Sequence, residues 1–266
     1  MSSREWRARH RFFVDTPLQI GVSCRLDGLA RQLSSVLRVA PGDSIRLFNG
    51  DGREYVAIVR TLTLRQATAD VIDIHSVHTD PQVSLTLYQC ALKQDKLEWV
   101  LQKGTELGVA RFAPVVSERS VVRPAAALHG KRPRWSAILR EATEQCGRSR
   151  LPQLADAIDW PPPALAIGVH GFVAWEESSG APSLGEAVAA LQPAEGDLSL
   201  ALLIGPEGGL TGEEVEHLAQ NGWQIVSLGA RTLRAETAAV AGIAIIMERC
   251  GELRWRLQPP NQHSSK

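Results

Sequence analysis

A chain of 266 residues exceeds the usual size of one compact domain, and with 44% hydrophobic residues it can bury ordinary cores, so two domains are expected. Its 29 basic residues balance its 29 acids, yet residues 151–230 hold eleven acids and no Lys or Arg, leaving all 29 bases against 18 acids elsewhere. The longest apolar run, Ala238 to Met247, is about half the roughly 20 residues a membrane span needs, and no apolar signal core follows the early arginines, so a cytoplasmic protein without a membrane anchor is expected.

Taken in chain order, residues 1–76 read as short strands around one helix. Leu29, Leu33, Val36 and Leu37 recur at helical spacing behind an N-cap at Asp27. Ser44 to Phe48 and Arg53 to Arg60 alternate apolar and polar residues across Asn49-Gly50-Asp51-Gly52, whose Asn-Gly and Asp-Gly pairs readily take positive φ, so a hairpin is expected. Ala67 to Ile74 adds a strand, and the set predicts a small, mainly antiparallel β-barrel.

Between His75 and Pro81 the pattern changes to strands alternating with helices, the mark of a mostly parallel sheet covered by helices. An α/β domain is therefore expected over residues 77–258, with 259–266 as a flexible tail. Val83 to Ala91 reads as a strand, Lys96 to Leu107 as a helix stopped at Gly108, and Phe112 to Val116 as the next strand. A helix from Trp135 to Cys146 follows, then strands at Ile167 to Trp175, Leu200 to Ile204 and Gln224 to Leu228, with helices between and after them and a loop at Pro161-Pro162-Pro163. Cys24, Cys90, Cys146 and Cys250 lie far apart with no C-x-x-C pair and no neighbouring His, so no metal site is expected and a reducing compartment fits.

Chemistry concentrates late in the chain. Leu200 to Ile204 runs into Gly205-Pro206-Glu207-Gly208-Gly209 and then a helix announced by the capping-box pair Thr211 and Glu214. Glycines permit close backbone approach, and loops at the carboxyl ends of parallel strands commonly contact ligands. Neither the G-x-G-x-x-G spacing of dinucleotide folds nor a Gly-Lys-Ser/Thr loop is present, and Glu207 is anionic, so a compact cation is a better guest than a phosphate; a purely structural turn is the alternative. Further on, the strand ending at Leu228 enters Gly229-Ala230-Arg231-Thr232-Leu233-Arg234-Ala235-Glu236-Thr237-Ala238. Glu236 complements the macrodipole of the helix that starts here, whereas Arg231 and Arg234 are disfavoured at a helix N-terminus unless RNA phosphate or a carboxylate offsets them.

Gly205 to Gly209, Leu228-Gly229, Leu233-Arg234 and Glu236-Thr237-Ala238 together resemble the cofactor-binding knot of SPOUT-class methyltransferases. Lys103-Gly104-Thr105-Glu106-Leu107-Gly108-Val109, Glu144-Gln145-Cys146-Gly147-Arg148 with Pro152, and Arg11-Phe12-Phe13 resemble, more narrowly, the RsmE family, which methylates uracil N3 in 16S ribosomal RNA. The resemblance spans essentially the whole chain. It implies a SPOUT-type, trefoil-knotted α/β domain with a parallel sheet, an N-terminal PUA-like RNA-binding β-barrel, a homodimer, and S-adenosylmethionine as cofactor. It further implies cofactor contacts from Leu203, Ile204, Gly205, Pro206, Glu207, Gly208 and Gly209, and from Leu228, Gly229, Leu233, Arg234, Thr237 and Ala238, while Trp175 is a candidate to line the same pocket, with a place in the core as the alternative. Ala174-Trp175-Glu176-Glu177 departs from the His-Pro-like segment often found at this place in the family.

The charge map then takes on meaning, since an acidic lobe suits a sulfonium and the basic remainder suits 16S rRNA or the small ribosomal subunit. Arg11, Arg38, Arg148 and Arg150 are the candidates for gripping RNA. Uracil N3 carries a proton, so transfer needs its removal or a cation that stabilises the developing anion. Arg234 is the candidate for that stabilising role, and Glu236 for a general base. Two rival functions are methylation of a ribose 2′-hydroxyl and RNA binding without catalysis, with the glycine loops purely structural.

Overall fold

Short alternating runs and tight turns build the first part of the molecule. The computed structural model describes residues 10–191 and 198–254, and contacts gather the residues up to Asp80 with Thr143–Leu151 into one unit and Pro81–Ala142 with the residues from Pro152 onward into another. In the first unit, β1 (Arg11–Phe13), β2 (Ser23–Arg25), β3 (Ser44–Phe48), β4 (Arg53–Leu62) and β5 (Ala67–Ser76) form one sheet in the order β1-β3-β4-β5-β2. Only the β1–β3 ladder is parallel. β1 and β2 share no ladder among the described residues, so the expected barrel is an open sheet packed on Phe12, Leu26, Leu33, Ile45, Leu47 and Val59.

The expected hairpin is present. Gly50 and Gly52 take φ of 92° and 86°, and the Asp51 carboxylate ties the turn by accepting the Arg53 N–H at 2.9 Å and the Tyr55 hydroxyl at 2.6 Å. The expected helix behind Asp27 forms, but its turn width changes along its length. Residues 27–36 run from a 3-10 turn at Asp27–Leu29 through two α-helical residues into a wider turn at Gln32–Val36, while Asp27 accepts the Ala67 N–H at 3.2 Å and pairs with Arg25 instead of capping. Val36, expected on the apolar face, is 71% exposed.

Two of the arginines expected to grip RNA are committed inside this unit. Arg11 is 8% exposed; its guanidinium pairs with buried Glu54, donates to the Thr143 carbonyl at 3.0 Å and to the Arg148 carbonyl, and lies 3.7 Å over the Phe48 ring. Arg148, 5% exposed, pairs with Asp80 at 3.2 Å, and Asp80 also accepts the Ser149 N–H at 3.1 Å. These bonds join residues 143–151 to the first unit and carry it to Asp80, past the expected boundary at residue 76. Taking a guanidinium out of water is costly unless its donors are satisfied, which is why a buried arginine takes several acceptors at once.

The second unit alternates strands and helices as expected. β6 (Ser84–Cys90), α1 (Lys96–Glu106), β7 (Arg111–Val116), α2 (Arg132–Cys146, grouped with the first unit from Thr143 on), β8 (Gln153–Leu154) and β9 (Ile158–Asp159) come first. β10 (Val169–Ala174), α3 (Leu184–Ala189), β11 (Ser199–Ile204), α4 (Gly212–Gln220), β12 (Trp223–Val226) and α5 (Ala235–Arg249) complete it. Every ladder is parallel, in the order β12-β10-β11-β6-β7-β8, with β9 beside β7. β10 starts at Val169, later than its apolar run suggests, because Ile167 stands in solvent. The tail expected at 259–266 lies outside the described residues.

The period of two along β11 sorts its side chains between two cores. Leu200, Leu202 and Ile204 pack with Leu85, Leu87, Phe172 and the α5 residues Ile243 and Ile246. Ala201 and Leu203 pack on the opposite face with Val173, Val215, Leu218 and Trp223, beneath α4. Helices thus cover both faces, and the apolar run of β11 reflects burial on each side. Gly242 in α5 is a packing requirement, since a Cβ there would stand 2.8 Å from Leu202 Cδ2.

Candidate functional site

Ala174, the last residue of β10, is in register with Ile204 at the end of β11 and with Val226 at the end of β12. The three loops that follow therefore leave the sheet at one level and on its carboxyl edge, where open parallel sheets bind ligands. The segments after β10 and β12 are also tied together: the Trp175 N–H donates to the Val226 carbonyl at 3.3 Å, the Ser227 N–H to the Pro182 carbonyl at 2.9 Å, and the Leu184 N–H to the Ser227 carbonyl at 3.0 Å. Between them lies a cavity of about 980 Å³, lined by Trp175 to Ala181, Ile204 to Glu207, Gly209, Ser227 to Ala235, Ala238 and Lys96.

Local chemistry sets the shape of each wall. In the loop after β11, Gly209 takes φ of 71° and donates its N–H to the Pro206 carbonyl at 3.0 Å. α4 then starts with both halves of the expected capping box, Thr211 and Glu214 bonding each other's backbone N–H at 2.9 and 3.2 Å. Glu214 is buried and its second oxygen accepts the Glu118 N–H at 2.9 Å, so this carboxylate is fully used in structure. In the loop after β12, Gly229 donates to Ser227 Oγ at 3.1 Å, and Arg234 becomes the N-cap of α5 without a side-chain cap bond.

The structure brings most of the expected cofactor residues to this cavity: Trp175, Ile204, Gly205, Pro206, Glu207, Gly209, Leu228, Gly229, Leu233, Arg234 and Ala238. Three others stay out of its wall. Leu203 points into the core beneath α4, by the alternation of β11. Gly208 faces Arg119, whose Nη1 donates to its carbonyl at 3.2 Å, and Thr237 is exposed on another side of α5 from Ala238. Glu236 also stays out of the lining; its carboxylate lies 3.5 Å from Lys96 Nζ. Of the remaining RNA candidates, Arg38 and Arg150 are exposed, and Arg150 lies against Gly52 of the hairpin.

Lys96, Glu176 and Glu177 line the cavity and were missed as site residues. For Lys96 a signal existed: it opens α1, where the macrodipole disfavours a cation, the same argument that singled out Arg231 and Arg234. The balance of charge also differs from the acidic lobe expected. Glu176, Glu177 and Glu207 face Lys96, Arg231 and Arg234, because the loop after β12 brings its arginines back over the acidic region.

Electrostatics divide these groups into bound and free. Glu207 accepts the Lys93 N–H at 3.0 Å and Lys96 Nζ at 3.2 Å. Burial pushes its carboxyl up, but these hydrogen bonds outweigh it and hold it below the usual range. The side chains of Glu176, Glu177, Arg231 and Arg234 have no ion pair or hydrogen bond among the described residues. Two carboxylates and two guanidiniums without partners among the described residues, in a cavity that also has apolar and glycine-bearing walls, suit a ligand that carries both signs. S-adenosylmethionine, with a sulfonium, an amine and a carboxylate, has that chemistry, and the volume is in the range of small-molecule sites.

Gly209 provides a test of the fit. A Cβ there would collide with the Glu176 carboxylate, and its φ belongs to glycine. Gly209→Ala is expected to weaken S-adenosylmethionine binding roughly ten-fold, as about 1–2 kcal/mol of left-handed strain moves the loop from its binding shape; calorimetry measures this, and an unchanged affinity would show that the loop tolerates a side chain.

Elsewhere, a second cavity of about 690 Å³ includes Glu118, Arg123, Asp159, Trp160 and Glu213 but has no glycine loop. Cys90 is buried, and burial pushes its thiol up to about 12, so it is no nucleophile. Among the described residues no group of three or more His, Cys, Asp or Glu is placed to hold a metal ion, and no helix is long and apolar enough to cross a membrane.

Comparison with known proteins agrees with this geometry. Residues 79–247 match the RNA methyltransferase domain family, and residues 33–72 match the RNA methyltransferase PUA domain. The ribosomal RNA small subunit methyltransferase E of Bacillus subtilis is 33% identical over 217 residues, covering 80% of this chain and 84% of that protein. A crystal structure of the Neisseria gonorrhoeae ribosomal RNA small subunit methyltransferase E, bound to S-adenosyl methionine, superposes with a TM-score of 0.78 at 32% identity, covering 90% of this chain and 97% of the other. The Legionella pneumophila methyltransferase Lpg2936, in complex with the same cofactor, gives a TM-score of 0.79 at 27% identity, covering 91% and 98%.

Proposed function

The chain belongs to the ribosomal RNA small subunit methyltransferase E family, and on that premise we propose that it methylates N3 of a uridine in 16S rRNA, with S-adenosylmethionine as donor. The observation that carries this reading is the convergence of the loops after β10, β11 and β12 on one cavity where Arg231 and Arg234 have no partner among the described residues. When bound, the cofactor supplies a methyl group activated by an adjacent sulfonium. Glu176 and Glu177 are the residues to face its positive groups, and Arg231 its carboxylate. Ile204, Leu228, Leu233 and Ala238 give it apolar walls.

The protein's part in the reaction is orientation and charge. Arg234, at the uncapped start of α5, adds its charge to the positive end of the macrodipole, and the two together stabilise the anion that forms as N3 loses its proton. Holding the base and the methyl group in line is the larger share of the work. The target base must leave its stack to reach such a cavity.

The first unit is assigned to RNA gripping, a role supported by its match to a PUA domain, with exposed Arg38 and Arg150 as its contacts. A trefoil threading of α5 is assigned to the second unit; the return of the chain across β10 to reach β12 and the bonds between the two flanking loops support it. A homodimer is supported by the half-buried small residues Val240, Ala241 and Ala244 on α5, and a cytoplasmic location by the site of ribosome assembly.

The test is incubation with labelled S-adenosylmethionine and small ribosomal subunits from a strain lacking this activity, followed by nuclease digestion and mass spectrometry of the nucleosides. 3-Methyluridine is the expected product. A ribose methyl would move the enzyme to another reaction, and no label in subunits or in their free RNA would remove the reading.

A further inference from the structure

Lys96 occupies a place that a cation avoids, the first residue of α1, facing the positive end of the macrodipole. What holds it there comes from two other elements. Its Nζ lies 3.2 Å from Glu207 Oε1, in the loop after β11, and 3.5 Å from Glu236 Oε2, in the first turn of α5. The Glu236 oxygen is buried and has no hydrogen-bond donor among the described residues, so this ammonium is its nearest compensation. One lysine thus stands between carboxylates on two segments, the loop after β11 and the start of α5, that both contribute residues to the cavity.

We propose that Lys96 is a positioning residue, whose shared ammonium sets the spacing between the loop after β11 and the start of α5 and so fixes the shape that admits the cofactor. The inference rests on the reading of the cavity as a cofactor site. It also gives Glu236 a structural duty toward Lys96 in place of proton transfer.

Removing the charge leaves Glu207 and Glu236 as close like charges without their common counter-ion. Either the walls move apart, or one carboxylate keeps a proton to higher pH than usual, since a neighbouring anion disfavours ionisation. Acid therefore relieves the defect. The other charged groups of the cavity are Arg231 and Arg234 from the loop after β12 and Glu176 and Glu177 from the loop after β10, and Lys93 and Asp95 precede Lys96 in the chain. Of all these carboxylates only Glu207 and Glu236 pair with Lys96, so the double variant, which removes one of the two charges, isolates their part in the dependence on pH.

The experiment is calorimetric titration of the full-length protein with S-adenosylmethionine at pH 8 and pH 6, in wild type, Lys96→Met, Lys96→Arg and the double variant Lys96→Met with Glu236→Gln. Lys96→Met should bind roughly ten- to hundred-fold more weakly at pH 8 and recover part of that loss at pH 6. Wild type and Lys96→Arg should show little dependence on pH, and the double variant should regain affinity at pH 8. Wild-type affinity in Lys96→Met, or a loss that neither acid nor Glu236→Gln relieves, overturns the role. If circular dichroism shows that Lys96→Met does not fold, Lys96→Gln is judged by the same criteria. A wild-type protein that binds no cofactor at either pH overturns the cofactor reading instead.

Discussion

Arg234→Ala is expected to lower kcat by roughly 10²- to 10³-fold, the cost typical of losing one donor to a developing anion, while S-adenosylmethionine affinity stays within about three-fold, since a lost exposed charge contact alters binding little. The asymmetry follows from where Arg234 stands. It caps α5 by its carbonyl alone, which accepts the Ala238 N–H at 2.8 Å, so truncating the side chain leaves the helix start intact. Its guanidinium has no partner to release among the described residues. Turnover on small subunits and calorimetric affinity, measured on the same preparation, separate the two effects. Equal losses in both would reassign Arg234 to holding the cofactor.

Arg11→Leu is expected to destabilise the protein by about 3–5 kcal/mol, because removing one member of a buried ion pair leaves the other charged and uncompensated. Glu54 would keep only Arg46, at 3.3 Å, and the Thr143 and Arg148 carbonyls would each lose a donor. Arg46→Leu is the control: its side chain is 27% exposed, and its loss should cost about 1 kcal/mol or less. Urea denaturation of the three proteins measures the difference. Weakened RNA binding with unchanged stability in Arg11→Leu would return that residue to the RNA surface.

The contrast between Arg234 and Arg11 shows what a sequence makes legible. The hairpin at Asn49 to Gly52, the capping box at Thr211 and Glu214, and the glycine turns after β11 and β12 were readable because their determinants lie within a few residues of one another. The role of Arg11 was not, since its acceptors lie 43, 132 and 137 residues away along the chain. The same holds for Asp27, expected as a helix cap, whose carboxylate instead accepts the N–H of Ala67, 40 residues on. Lys96 and Glu207 are 111 residues apart, and only folding brings them to one wall. Leu203 fell to a simpler cause: a run apolar at every position does not say which residues face the helices on each side.

The central claim is that the loops after β10, β11 and β12 enclose a methyl donor beside Arg234. A crystal structure of the protein grown with S-adenosylmethionine tests it most directly. The account predicts the cofactor between Trp175 to Ala181, Gly205 to Gly209 and Ser227 to Arg234, with its methyl group open to the side where Arg234 stands. Cofactor bound at any other place, or a cavity that stays empty at saturating concentration, would contradict it.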